Sequence, residues 1–439
     1  MALTVAPPAT RGAPIRRRIG AATKSSTPTR LRLIAVGCAG LTLLAGVVGM
    51  VTVSTRHAAT VAAWQTAEPL TVDAQAIDTS LADADTTAAG SFLQGQVESG
   101  ALHARYLADL AQASSTLAGT AQQVGSDPAL AASLRTITTG LPTYTGLVAT
   151  ATLEQRQAHY PLAAAYMAEA SNLMRTEILP AAAHLYATER ARLAADQATA
   201  VGSWSVWLTG LLLLALLASL LVAQRWMSRT FRRRVNVPLA VATLLVVVAG
   251  AWFAVAVTAQ GVGVDSAGVD GSGPVGTYTQ ARILALELRA DDELTLLSRD
   301  SVSSYQADYS TAAAQLVRLL TEPASGVSPS ERTGLSTASG AYDGYRLAHD
   351  QIRRTDTGGD LVGAVRQASA TGPTDLPAVS VRLDQTLAQD IASSQQTFDQ
   401  GMAGAAGDIG GLVWLVGGLA LLAAALIVLG VRPRIGEYR

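Results

Sequence analysis

The chain reads as an all-α membrane protein: four transmembrane helices carrying two extracytoplasmic four-helix-bundle-like sensory domains related by internal duplication. Three observations predict this. Four apolar stretches, 33–54, 204–224, 237–257 and 409–431, are each close to the 20 or so residues that cross a bilayer core as a helix, and none holds an ionised side chain in its interior. The two segments between them, 55–203 and 258–408, carry the three-and-four spacing of packed helices. The order span, bundle, span then occurs twice.

Arginine sets the orientation. Arg11, Arg16, Arg17, Arg18, Lys24, Arg30 and Arg32 lie in the tail 1–32, and Arg225, Arg229, Arg232, Arg233 and Arg234 fill the link 225–236. Arg432, Arg434 and Arg439 lie in the tail 432–439. All three segments fall on one side if every stretch crosses, so the positive-inside rule predicts a multi-pass plasma-membrane protein with both termini cytosolic. Residues 1–32, rich in Pro, Thr, Ser and Arg without apolar period, read as a disordered tail lying against anionic membrane lipid. Trp64, Trp204, Trp207, Trp252 and Trp414 near the outer boundary, with Trp226 at the inner one, form an aromatic belt. Cys38 is the only cysteine, so disulfides cannot hold the outer segments. The apolar run around it starts too close for a lipoprotein signal and continues too far for a cleaved one, so it reads as a retained anchor.

In the first outer segment Ile77, Leu81, Ala84, Ala88 and Phe92 form a helix stripe. Leu102, Tyr106, Leu110 and Leu117 continue it after a break at Gly95–Gly100, and Asp127-Pro128 starts another helix as N-cap and first residue. Pro142, Pro161 and Pro180 punctuate the remainder of the segment, and the helix over Thr188–Ala200 is expected to run unbroken into the span at Trp204. In the second segment a glycine-rich link, Gly261–Gly276, leads into helices over 281–297, 302–320, 331–353 and 375–398, with breaks at 355–360 and 371–377. Tyr144-Thr-Gly146 recurs as Tyr342-Asp-Gly344, and Leu179-Pro180-Ala181 as Leu376-Pro377-Ala378. Asp83-Ala-Asp85 has a counterpart in Asp291-Asp292, which completes the case for duplication.

Chemistry-bearing motifs are few. Gly271-Ser-Gly273-Pro-Val-Gly276 fits a dinucleotide fingerprint, but no strand precedes it and Pro274 interrupts it, so a flexible linker is the better reading. The histidines, His57, His103, His159, His184 and His349, show no metal spacing, and no nucleophile or phosphate-loop signature occurs. The expectation is a non-enzyme without metal or cofactor. A formal net charge of −1 over 439 residues argues against nucleic-acid binding. Two acidic groups remain as a candidate ligand or partner face: Asp78, Asp83 and Asp85 on one helix, and Asp291, Asp292 and Glu293 on its counterpart. Such carboxylates could bind an amine, while a solvated helix face is the plain alternative; Asp85, beside the apolar stripe, needs a partner. The spans lack the ionisable or broken elements of a conduit. Their small pairs, Thr42/Gly46 and Gly250/Ala254, with Gly418 on the fourth span, suit close helix packing.

The run Ala82-Asp83-Ala84-Asp85-Thr86-Thr87-Ala88-Ala89 with Phe92-Leu93, and Ala281-Arg282-Ile283-Leu284 through Asp292-Glu293-Leu294-Thr295-Leu296, resemble segments of an actinobacterial membrane-protein family, the GlnX-like sensors. That resemblance implies a relay of amino-acid availability, from an extracytoplasmic solute-binding lipoprotein to a soluble cytosolic Ser/Thr kinase. The residues themselves also require partners, because the cytosolic segments are too short to bury a catalytic core. The leading expectation is therefore a non-enzymatic sensor and adaptor, with Arg225, Arg229, Arg232, Arg233 and Arg234 as candidate cytosolic docking residues. An accessory subunit of an amino-acid transporter and a structural envelope protein are the alternatives. A homo-oligomer is compatible with the sequence.

Overall fold

The computed structural model describes residues 27–94, 99–123, 127–202, 204–231, 236–297, 302–323 and 326–436. Every regular element among them is helical. Among these residues fourteen α-helices and three π-helical turns succeed one another: α1 Thr27–Ala62, π1 Ala63–Ala67, α2 Glu68–Gln94, α3 Ser99–Gln123, α4 Pro128–Arg156, α5 Tyr160–Leu173, π2 Met174–Ile178, α6 Leu179–Val201 and α7 Trp204–Phe231. The second half continues with α8 Val237–Ser266, π3 Ala267–Ser272, α9 Gly273–Leu297, α10 Val302–Thr321, α11 Pro329–Thr357, α12 Leu361–Ala368, α13 Leu376–Gly410 and α14 Leu412–Gly436. Four helical runs are long and apolar enough to cross a membrane, the mark of a multi-pass membrane protein.

The chain divides into two compact units. One comprises the described residues up to Val48, Leu208–Gly250 and those from Val416. Its core is built from Ala35, Cys38, Leu216, Leu220, Ala242, Val246, Ala423 and Ile427. Gly46 meets Ala420 so closely that an added methyl would lie 2.5 Å from the Ala420 Cβ, the close approach that small residues permit. Gly418 has nothing within 4 Å and takes no part in such a contact.

The other unit, Gly49–Trp207 with Ala251–Leu415, contains both outer segments. Its plan repeats: α2 packs on α3 and α6, and α9 packs in the same way on α10 and α13. The central helices α2 and α9 also pack on each other. Leu294 of the second half is buried in the core of the first, and Leu93 of the first packs against the core of the second. The stripe Ile77, Leu81, Ala84, Ala88, Phe92 is buried throughout. Asp127 caps α4, its Oδ1 accepting from the Ala129 N–H at 2.9 Å, which holds its carboxyl below the usual range. Trp204, Trp207, Trp252 and Trp414 each expose half of their surface or more.

Three sequence expectations are corrected. The glycine-rich stretch Gly261–Gly276 is helix, not a flexible link. Small residues there recur every four positions, so the helix can lie directly on another backbone. An added methyl on Gly263 would lie 3.1 Å from the Ala405 Cβ, and one on Gly271 2.8 Å from the Phe398 Cα. Nor do Pro180 and Pro274 break the helix. Each π turn ends two residues before a proline, Pro69, Pro180 or Pro274. A proline has no N–H for the carbonyl four residues back and its ring collides with that carbonyl, so a wider turn relieves both problems. The N–H of the residue just before each proline bonds five residues back: Glu68 to Ala63, Leu179 to Met174, Gly273 to Gly268. Pro142 lies inside α4 without a π turn, so proline alone is not sufficient.

The third correction concerns the end of α6. The helix stops at Val201, and Gly202 turns into extended backbone (ψ 127°), so no single helix runs through to Trp204. The helix-end carbonyls, which have no intrahelical donors, are taken by a buried clamp. The Arg56 guanidinium donates to the Gly202 carbonyl at 2.9 Å and to Gln260 Oε1 at 2.7 Å. Gln260 Nε2 in turn donates to the Ala200 carbonyl at 3.2 Å. Here the cation also meets the negative end of the helix dipole.

Candidate functional site

On α2 and α9 the apolar stripes face the two bundle cores, which turns the adjacent stripe of each helix toward the other. The six acidic residues singled out from the sequence lie on these two helices, Asp291 and Glu293 reaching the other half while Asp83 and Asp292 bond within their own. All six are buried, between 1% and 6% exposed, so the solvated face is not what these carboxylates form. Burying an ionised carboxylate is costly unless it is paired and hydrogen-bonded, and the pairs are present for most of them.

Asp85 Oδ1 accepts from the Ser171 hydroxyl at 2.9 Å and the Tyr144 hydroxyl at 3.3 Å. Its other oxygen lies 3.9 Å from Arg175 Nε. Burial pushes the Asp85 carboxyl up, and Arg175, Ser171 and Tyr144 pull it back. Arg175 also donates to Asp291, so one guanidinium on the π2 turn bridges the α2 and α9 carboxylates. Asp291 is nonetheless raised to about 7, chiefly by burial. Thr86 adds a direct link between the halves, donating to the Leu286 carbonyl at 3.2 Å.

In the second half Asp292 accepts from the Tyr345 hydroxyl at 2.5 Å and faces His349 Nδ1 at 2.6 Å. The imidazole stacks on Tyr309 with ring centroids 3.9 Å apart. Glu293 pairs with Arg289 at 3.2 Å and is raised to about 7 by burial. Its carboxylate rests on Gly90, where a methyl would lie 2.8 Å from Oε1. Asp83 pairs with Arg105 at 2.6 Å. Asp78 is different. No cation among the described residues pairs with it, and burial with the nearby Glu287 raises it to about 7.

Sequence reasoning missed Arg175, Ser171, Tyr345 and His349. Tyr144 was marked as a repeat landmark, but its sequence counterpart Tyr342 is not the residue that bonds the second aspartate; Tyr345, one turn on, does so. The one signal pointing to Arg175 is a charge between Leu173-Met174 and Ile178-Leu179-Pro180.

A cavity of about 170 Å³ lies in the same unit, lined by α2, α6, the π3 turn, the start of α9 and α13. Its polar wall includes Glu68, Gln75, Arg190, Gln197, Ser272 and Gln395, none of them among the six acids. Arg225 and Arg229 are exposed on α7, while Arg232, Arg233 and Arg234 lie outside the described residues, as do residues 1–26 and 95–98; the last two positions of the expected Gly95–Gly100 break are already in α3.

No curated protein and no solved structure matches the chain. Residues 59–198, which cover the first bundle, match the family model described as an actinobacterial sensor domain.

Proposed function

We propose that this protein is a transmembrane sensor and adaptor that reports an extracytoplasmic nutrient to a protein in the cytosol. The observation that carries the reading is the build of the central helices. The helical run Arg32–Leu93 holds the first apolar stretch and α2, and the run Val237–Leu297 holds the third and α9. The face between α2 and α9 is held by buried ion pairs and by close contacts at Thr86 and Gly90. A packed interface of this kind has discrete arrangements, so a shift of an ångström or two at α2 and α9 is passed along each helix rather than absorbed.

The finer reading rests on the resemblance to GlnX-like sensors. It names an amino acid delivered by a solute-binding lipoprotein as the outer signal and a soluble Ser/Thr kinase as the cytosolic partner, docked on the arginines from Arg225 to Arg234. Arginine forks bind partner carboxylates better than lysine does, which favours that link. In-cell crosslinking from both faces tests this. The expected yield is a lipoprotein outside and a kinase inside. Recovery of a stoichiometric permease and ATPase would overturn it in favour of a transporter subunit. Phosphatase fusions at Thr120 and Ser330 should be active and one at Thr230 inactive; the reverse would refute the orientation.

A further inference from the structure

The cavity beside α2 has an unusual set of walls. Glu68 stands at the first position after the π1 turn, and among the described residues no cation pairs with it. Burial raises it to about 7, and Asp399 and Asp73, both of its own sign, add to that. Gln75, two turns further along α2, lines the same space at 5% exposure, and its Oε1 has no hydrogen-bond partner. A carboxylate and an unsatisfied carbonyl oxygen on one helix are two acceptors with nothing among the described residues to donate to them.

The remaining walls set size and polarity. Arg190 from α6 lies against Gly276, where even a methyl would collide with the guanidinium, so a bare backbone holds it in place. Gln197 donates to the Ser272 hydroxyl at 3.3 Å across the cavity wall, and Phe398 and Val275 supply apolar surface. A volume of about 170 Å³ takes roughly what a benzene-sized cavity of about 150 Å³ takes, a molecule of around six heavy atoms.

We infer that this cavity binds a small organic ammonium compound, its ammonium donating to Glu68 and to the Gln75 carbonyl oxygen. Any carboxylate that the ligand carries is met by Arg190. The inference deepens the sensor reading by naming a ligand class, and it rests on that reading only for its consequence. Two π turns border the cavity, π1 next to Glu68 and π3 through Gly268 and Ser272, so a ligand here touches both helical runs that the sensor reading requires to move.

The test is calorimetry on the full-length protein in detergent with three probes: propylamine, alanine and propionate. Propylamine and alanine are expected to bind, and propionate to give no heat. Glu68→Gln keeps the shape of the wall and should weaken both amines about tenfold or more, as loss of a charged hydrogen bond does. Gln75→Leu, a second variant, should weaken them with Glu68 intact. Arg190→Met should weaken alanine alone if the ligand is an amino acid, and neither probe if it is a simple amine. The inference is overturned if neither amine binds the wild type, if propionate binds as well as alanine, or if Glu68→Gln leaves affinity unchanged in a protein that still unfolds cooperatively. Intact amine binding together with failure to recover a cytosolic partner would sink the sensor reading and leave the site standing.

Discussion

The two halves solve the same problem differently. Each buries an aspartate on its central helix and bonds it to a tyrosine from the bundle: Asp85 to Tyr144 in the first half, Asp292 to Tyr345 in the second. In the first, the compensating charge is an arginine that also reaches Asp291 of the other half. In the second, the partner facing Asp292 is the imidazole of His349, stacked on Tyr309 within its own bundle. The cause is traceable. Arg175 lies four residues before Leu179-Pro180, on the π2 turn that joins α5 to α6 without a break. At the matching landmark, four residues before Leu376-Pro377, stands Gly372, and there the chain leaves helix before Asp375 and starts α13 anew. The first half thus bridges to its partner through Arg175 where Asp292 of the second turns inward.

The largest effect should come from breaking that asymmetry. Arg175→Met leaves two buried carboxylates without their cation and should cost about 3–5 kcal/mol in denaturant unfolding. His349→Gln, which disturbs one half only, should cost about 1–2 kcal/mol. Converting Asp85 and Asp291 to Asn alongside Arg175→Met should recover most of the loss, since a fully neutral core no longer carries a buried charge. Equal costs for Arg175→Met and His349→Gln would show that the halves are equivalent after all.

A second contrast lies within π3. Gly271→Ala drives a methyl into the Phe398 backbone and should cost about 1–3 kcal/mol, as overpacking does. Gly268, where an added methyl would meet nothing within 4 Å, should accept Ala with a gain of about 0.5–1 kcal/mol from helix propensity. A flexible linker would show neither change in thermal unfolding, so the pair decides between the two readings of the glycine-rich stretch.

What the sequence showed depended on the range of the interaction. The stripe from Ile77 to Phe92 and the Asp127 cap are local, fixed by three- and four-residue spacing or by adjacent N–H groups, and both are legible. Pairing of the acids is not. A charged helix face has the same pattern whether water or another helix covers it, and the partners lie 86 residues away for Ser171 and 116 for Arg175. Glycine composition suggested a linker at 261–276, whereas the four-residue step of Gly263, Ala267 and Gly271 carried the correct signal of close helix packing. The cavity could not be foreseen, because Glu68, Arg190 and Gln395 come together only through the docking of the halves.

The smallest predicted effect sharpens the comparison through pH. Asp78 lies seven residues before Asp85; seven before Asp292 the second half has Ala285. Burial, then Glu287, raises Asp78 to about 7, and Asp291 and Glu293 are raised similarly. An acid whose folded value exceeds its unfolded value of about 4 binds more protons in the native state across that interval. Stability contributed by these groups is therefore fully present below about pH 4 and declines as pH rises toward 7, after which it is flat. Asp127, held below the usual range by the N–H groups of α4, acts in the opposite sense and loses its contribution at still lower pH. Between pH 5 and pH 8 the buried acids dominate, so the unfolding midpoint should fall across that range. Asp78→Asn removes one charge without orphaning a cation, and it should stabilise the protein by about 1–2 kcal/mol at pH 8 while changing little at pH 5. Asp292→Asn should not reproduce this gain, because Tyr345 and His349 each face a different carboxylate oxygen and Asn keeps only one acceptor at either pH. A midpoint that rises from pH 5 to pH 8, or an Asp78→Asn profile parallel to the wild type, would show that burial at this position is relieved in solution.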